Sequence, residues 1–121
     1  MNEEKRLFAL RGATRSLNDE EDIIRQVSAL YDELLARNRL EEGDIVSVIF
    51  SVTADIDVLN PAAALRRSGR AADIALFVVQ EAHFPDALDR TIRVLIHCYM
   101  SSAAVPRHSY LNGAEVLRPD R

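Results

Sequence analysis

Three charged residues interrupt the most apolar stretches of this 121-residue chain. Arg93 stands between Ile92 and Val94 in TIRVLIHCYM, Glu81 directly follows FVVQ, and Arg11 abuts Gly12 at the end of RLFALR. A charge within an apolar strand is costly unless an opposite charge or a ligand compensates it. Two guanidinium groups and a carboxylate gathered at the edges of one small sheet would make a polar pocket. The planar fork of arginine suits such a pocket to a carboxylate ligand, held by two parallel hydrogen bonds. Two other readings stay open at this level. Each residue could mark a strand end and point into water, or Arg93 and Glu81 could form an internal salt bridge with a structural role.

Other chemistries are poorly supplied. His97 and Cys98 are neighbours on a predicted strand, so their side chains leave opposite faces and cannot form a dyad. His83, His97 and His108 share no metal-ligand spacing, which leaves the site without an expected metal. Asp55 and Asp57 could face one way in an extended segment, but such a pair in a polar loop is usually solvated. Gly12, Gly43, Gly69 and Gly113 are scattered and build no phosphate loop.

The elements that must position Arg11, Glu81 and Arg93 can be read from periodicity. Residues 6–11 predict a short strand ending at Gly12. Over 19–39, Ile23, Ile24, Val27, Leu30, Tyr31, Leu34 and Leu35 recur at three- and four-residue steps and predict an amphipathic helix. Asn18, three residues before Glu21, reads as a capping box, and Gly43 as the reversal after the helix. The β-branched run 45–52 predicts a strand. Asn60-Pro61 opens a short second helix ending at Gly69, because asparagine caps well and proline is tolerated at the first helical position. Strands are expected at 74–81 and 91–100, with a short helical connection starting at Pro85. HSYL then predicts a brief last strand before the Asn112-Gly113 turn. The order β-α-β-α-β-β-β indicates an α+β or α/β-type sheet with flanking helices, in a single domain over 1–121.

Composition narrows the partners. Hydrophobic residues make up 48% and charged residues 28%, a globular balance. The net charge of −4 argues against nucleic acid, whose phosphates require a basic excess. Fourteen of the basic residues are arginine and only Lys5 is lysine, a bias that genome composition can produce as readily as carboxylate recognition. No apolar run approaches the roughly 18 residues that span a membrane, and the N-terminus lacks the pattern of a signal peptide. With a single cysteine, Cys98, no internal disulfide is expected, and a cytoplasmic location is.

The segments RGAT at 11–14, SVTADID at 51–57, QE at 80–81, IRV at 92–94 and YLNGAEVLRPD at 110–120 occur in an order and spacing that span the chain. Together they resemble the AroH-type chorismate mutases. The resemblance implies a sheet with flanking helices that trimerises into a pseudo-α/β barrel, with active sites in clefts between adjacent subunits. It implies chorismate as the substrate, its rearrangement to prephenate as the reaction, and no cofactor.

Residue by residue, the resemblance makes Arg11 the arginine that grips a substrate carboxylate and Glu81 the acceptor of the ring hydroxyl. It sets Arg93 opposite the ether oxygen and a carboxylate, has Tyr110 assist carboxylate binding, and puts Arg66 near the cleft mouth. Arg118 becomes the arginine of a C-terminal segment that closes over the site. Such a set suits an intramolecular bond shift in a dianion, which needs a held conformer and stabilised charge at the departing oxygen. The chain departs from the family pattern at the second helix, where Phe-Pro-Ala-Lys/Arg is replaced by Asn60-Pro61-Ala62-Ala63. It departs again at Val78, where Cys or Thr is usual. Two alternatives stand beside the mutase reading: a divergent member acting on another chorismate-like dicarboxylate, and a non-catalytic trimer that binds small carboxylates.

Overall fold

The protein is seen here as a computed structural model that describes residues 4–117. Strands β1 (Lys5–Arg15), β2 (Ile45–Val52), β3 (Ala75–Gln80), β4 (Thr91–Ser101) and β5 (Ser109–Tyr110) alternate with helices α1 (Glu20–Asn38) and α2 (Pro61–Arg67) in the expected order. They form one sheet in the order β3-β2-β4-β1-β5. β4 runs antiparallel to both β1 and β2, while β3 and β5 pair parallel with β2 and β1. Parallel neighbours require a crossover connection, and α2 supplies the one between β2 and β3. The fold is α+β.

Alternation along the strands sends Phe8, Leu10, Val48, Phe50, Ile92, Ile96 and Cys98 into the core. There they meet Ile23, Val27, Leu30 and Leu34 of α1 and Ala64 and Leu65 of α2. The three- and four-residue spacing of the α1 residues is what makes one face of that helix apolar.

Several boundaries differ from expectation for identifiable reasons. α1 is capped by Asp19, whose side chain accepts from the Asp22 N–H at 3.0 Å, not by Asn18. Asn18 is drawn across to another loop, where its Oδ1 accepts from the N–H groups of Asp57 and Val58. The helix ends on Arg39 in the left-handed region (φ 50°), while Gly43 lies in a 3-10 turn at Glu42–Asp44. β1 does not stop at Gly12 but runs on to Arg15. A Cβ on Gly12 would lie 2.9 Å from Leu34 Cδ1 and 3.0 Å from the Ser109 carbonyl oxygen, so this glycine marks where α1 and β5 crowd the strand. After Pro85 there is no helix. The 81–90 segment is instead a loop pinned at its end by the Asp55 carboxylate, which accepts the Arg90 N–H at 3.0 and 3.1 Å.

Candidate active site

The face of the sheet opposite the helices holds Arg11 and Arg93, with Glu81 just past its edge strand, and strand register arranges the face in rows. Ala13, Arg93, Ser51 and Val79 are cross-strand partners in one row; Arg11, Leu95, Ile49 and Phe77 form the next. At this end of the sheet lies a cleft of about 260 Å³, lined by Arg11, Ile49, Ser51, Arg93, Leu95, Tyr110 and Leu117 among others. Arg11 is therefore mid-strand and not at a strand end, and it reaches the cleft because odd-numbered residues of β1 leave this face.

Glu81 lies one residue past β3, held by its backbone N–H to the Val52 carbonyl at 2.9 Å. Its carboxylate oxygen Oε1 sits 2.7 Å from Arg93 Nε and accepts a 2.7 Å hydrogen bond from Ser51 Oγ. The Arg93–Glu81 pair is thus formed within the chain, yet Arg93 keeps a side-chain exposure of 46% against 15% for Glu81. Among the described residues, the Arg93 guanidinium makes this ion pair but no well-aligned hydrogen bond, and the Arg11 guanidinium makes neither. The Arg11 guanidinium and the Nη groups of Arg93 keep their donors for a ligand and line the cleft, whereas Glu81 lines a second hollow with Thr53, Asp55 and the 82–89 loop and meets the cleft through its contact with Arg93.

β5 brings in the fourth residue. Its parallel pairing sets Tyr110 beside Ala13, and the Leu111 N–H to the Ala13 carbonyl (2.9 Å) fixes that register. His108 accepts the Arg11 backbone N–H at Nδ1 (2.9 Å), tying the approach to β5 onto the site strand. Arg66 stands apart from this group. Its Nη1 donates to the Ala71 and Ala72 carbonyls at 2.7 and 2.8 Å, and its Nη2 to Ile74 at 2.8 Å, so it secures the turn from α2 to β3. Arg118 lies outside the described residues, although Leu117 before it lines the cleft. Asn60 turns its Oδ1 back to the Ala62 and Ala63 N–H groups as the α2 cap, and Ala63 packs against the core.

Ser51 is the site residue that sequence reasoning passed over. Its signals were a serine interrupting IVSVIFSV and its place at the head of SVTADID, and the register that sets it against Arg93 cannot be read from one strand. Elsewhere, Cys98 is buried, and burial, reinforced by the Asp44 charge, pushes its thiol up to about 11. A thiol held protonated is an inert packing group. His97 leaves the opposite face, 3.2 Å from Ser47 Oγ. No group of three or more His, Cys, Asp or Glu among the described residues is arranged to hold a metal ion.

Comparison with known proteins fits this geometry. The family model for chorismate mutase type I matches residues 7–121. The chain is 31% identical over 116 residues to chorismate mutase AroH of Bacillus subtilis (strain 168), covering 92% of this chain and 89% of the relative. It is 32% identical over 120 residues to chorismate mutase AroH of Thermus thermophilus, with 92% and 95% coverage. A solved chorismate mutase from Clostridium thermocellum superposes with a TM-score of 0.81 at 38% identity, covering 90% of this chain and 98% of that one. With the family model spanning nearly the whole chain and relatives above 30% identity along most of it, the chain belongs to the type I chorismate mutase family.

Proposed function

We propose that this protein is a chorismate mutase, converting chorismate to prephenate in the cleft of the open sheet face. The observation that carries the reading is the cleft itself: Arg11, Arg93 and Tyr110 line it, and Arg93 is paired through Nε with Glu81 while its Nη groups are left for a ligand. In the rearrangement one C–O bond breaks as one C–C bond forms, and no proton enters or leaves. The protein's task is to hold the compact conformer of a dianion and to meet the charge that grows on the departing ether oxygen. Arg11 fits a carboxylate clamp, with Tyr110 of the same cleft to assist it. Arg93 fits the ether oxygen, and Glu81 the ring hydroxyl as a hydrogen-bond acceptor.

The working unit in this proposal is a cytoplasmic homotrimer with sites between subunits. Its support is the exposed apolar sheet face and the position of Arg66, which is held at the α2–β3 turn and does not line the cleft of its own chain. A single unpaired, buried thiol agrees with a reducing compartment. Chorismate consumption with stoichiometric prephenate formation by the purified protein is the direct test, and no turnover would refute it. The departure from the family pattern at Asn60-Pro61-Ala62-Ala63 favours a second reading, in which the site serves a related enol-ether dicarboxylate. Faster turnover of such an analogue than of chorismate would decide for it.

A further inference from the structure

We propose that Ser51, which lines the cleft, is a positioning residue of this site, orienting the Glu81 carboxylate beside Arg93 so that its second oxygen stays free for a ligand. The proposal rests on the reading of Glu81 and Arg93 as substrate-facing groups. Ser51 is the direct cross-strand partner of Arg93 and lies on the same face of the sheet. Its Oγ donates to Glu81 Oε1 at 2.7 Å, and among the described residues this is the hydrogen bond made to that carboxylate. Arg93 touches the same oxygen at 2.7 Å through charge, without a well-aligned N–H. An ion pair of that kind holds a distance but not an angle, whereas a hydroxyl donor is directional.

The consequence is a division between the two carboxylate oxygens. Oε1 is held by Ser51 and Arg93, which leaves Oε2 to accept from a ligand hydroxyl. Serine has one proton to donate, and here it goes to Glu81, not to the ligand. Without it a glutamate on the end of an edge strand regains rotamer freedom, and Arg93 can draw the carboxylate across the guanidinium edge meant for the substrate. A misplacement of about 1 Å in such a site costs on the order of 10²-fold in rate.

The test is a double-mutant cycle in steady-state chorismate turnover. Ser51→Ala should lower kcat by about 10-fold to 10²-fold, with KM changing far less. Ser51→Thr keeps the hydroxyl and should recover most of the loss, while Ser51→Cys keeps the shape with a weak donor and should not. In a Glu81→Ala background, adding Ser51→Ala should change kcat less than about 2-fold, because the residue acts through the carboxylate. An equal loss with and without Glu81 would overturn the proposal and make Ser51 an independent group. Unchanged kcat in Ser51→Ala would overturn it outright. Full activity of Glu81→Ala would instead remove the assignment of Glu81 on which the proposal stands, so the two failures are told apart by the single variants.

Discussion

Arg93 combines an ion pair within the chain with donors left at a cleft. Its pairing with Glu81 answers the cost of placing a charge in an apolar strand, and its remaining donors face a cleft. If those donors meet the charge developing on the ether oxygen, Arg93→Ala should reduce kcat by about 10²–10³-fold, as for other preorganised donors. Arg93→Lys retains the charge but loses the planar fork, so it should restore only part of the rate. Near-normal turnover by folded Arg93→Ala protein would end the assignment. Arg93, Glu81 and Arg11 were legible in the sequence because charges inside apolar strands are conspicuous. Ser51 was not, since serine is neither apolar nor charged and its partners come from strands distant in the chain. Tyr110 was legible only through family resemblance. No local pattern could have shown that β5 would lie parallel to β1 and bring this tyrosine beside Ala13.

At the level of elements, the sequence was read correctly where burial sets the pattern and misread where a single hydrogen bond does. The periodicity of α1 survives residue for residue, but its cap moved from Asn18 to Asp19 because a distant loop claims the asparagine. The junction from β1 into α1 rests on Asp22. Burial alone would raise its carboxyl, yet the Leu17 N–H, Arg25, Gln26 and Ser16 hold it below the ordinary carboxylate range. A folded-state value below the unfolded one means stability is fully present above the unfolded value, near 3.8, and is lost as pH falls through the folded one. Thermal melts should therefore show wild type weakening as pH drops from about 5 to about 3. Asp22→Asn should cost about 1–3 kcal/mol at neutral pH and flatten that acid decline. An equally steep decline in the variant would place the acid sensitivity elsewhere. Gly12, read as a strand end, is a packing contact instead: Gly12→Ala forces a methyl against Leu34 and the Ser109 carbonyl. It should destabilise the fold by about 1–3 kcal/mol and, because Arg11 is the next residue, lower activity even in protein that remains folded. A melting temperature equal to wild type would show that α1 and β5 can give way without cost.

For the whole molecule, the sheet is covered on one face only. The other face exposes Phe77 (65%), Leu7 (49%), Tyr99 (45%) and Val79 (43%) around the polar cleft. Such a run of large apolar side chains is the mark of an interaction surface. Its continuity with the cleft fits a closed, cyclic assembly in which one copy completes the site of the next. Arg66 supplies the geometric argument, since its guanidinium is tied to the α2–β3 turn and is absent from the cleft lining of its own chain. Two expectations follow from the same premise. Phe77→Asp places a charge in the middle of the apolar patch, so light scattering should find it monomeric where the proposed assembly makes wild type a trimer, with activity lost alongside. Mixing Arg93→Ala and Arg66→Ala proteins, each impaired alone, should restore part of the activity after exchange of subunits, because some interfaces then join an intact Arg93 to an intact Arg66. Charge-retaining Arg66→Lys serves as the control for the carbonyl contacts, since loss of those contacts would act within one chain and could not be rescued by mixing. A fully active monomer, or a mixture no more active than the average of its parts, would place the entire site within a single chain and leave the apolar face to another partner.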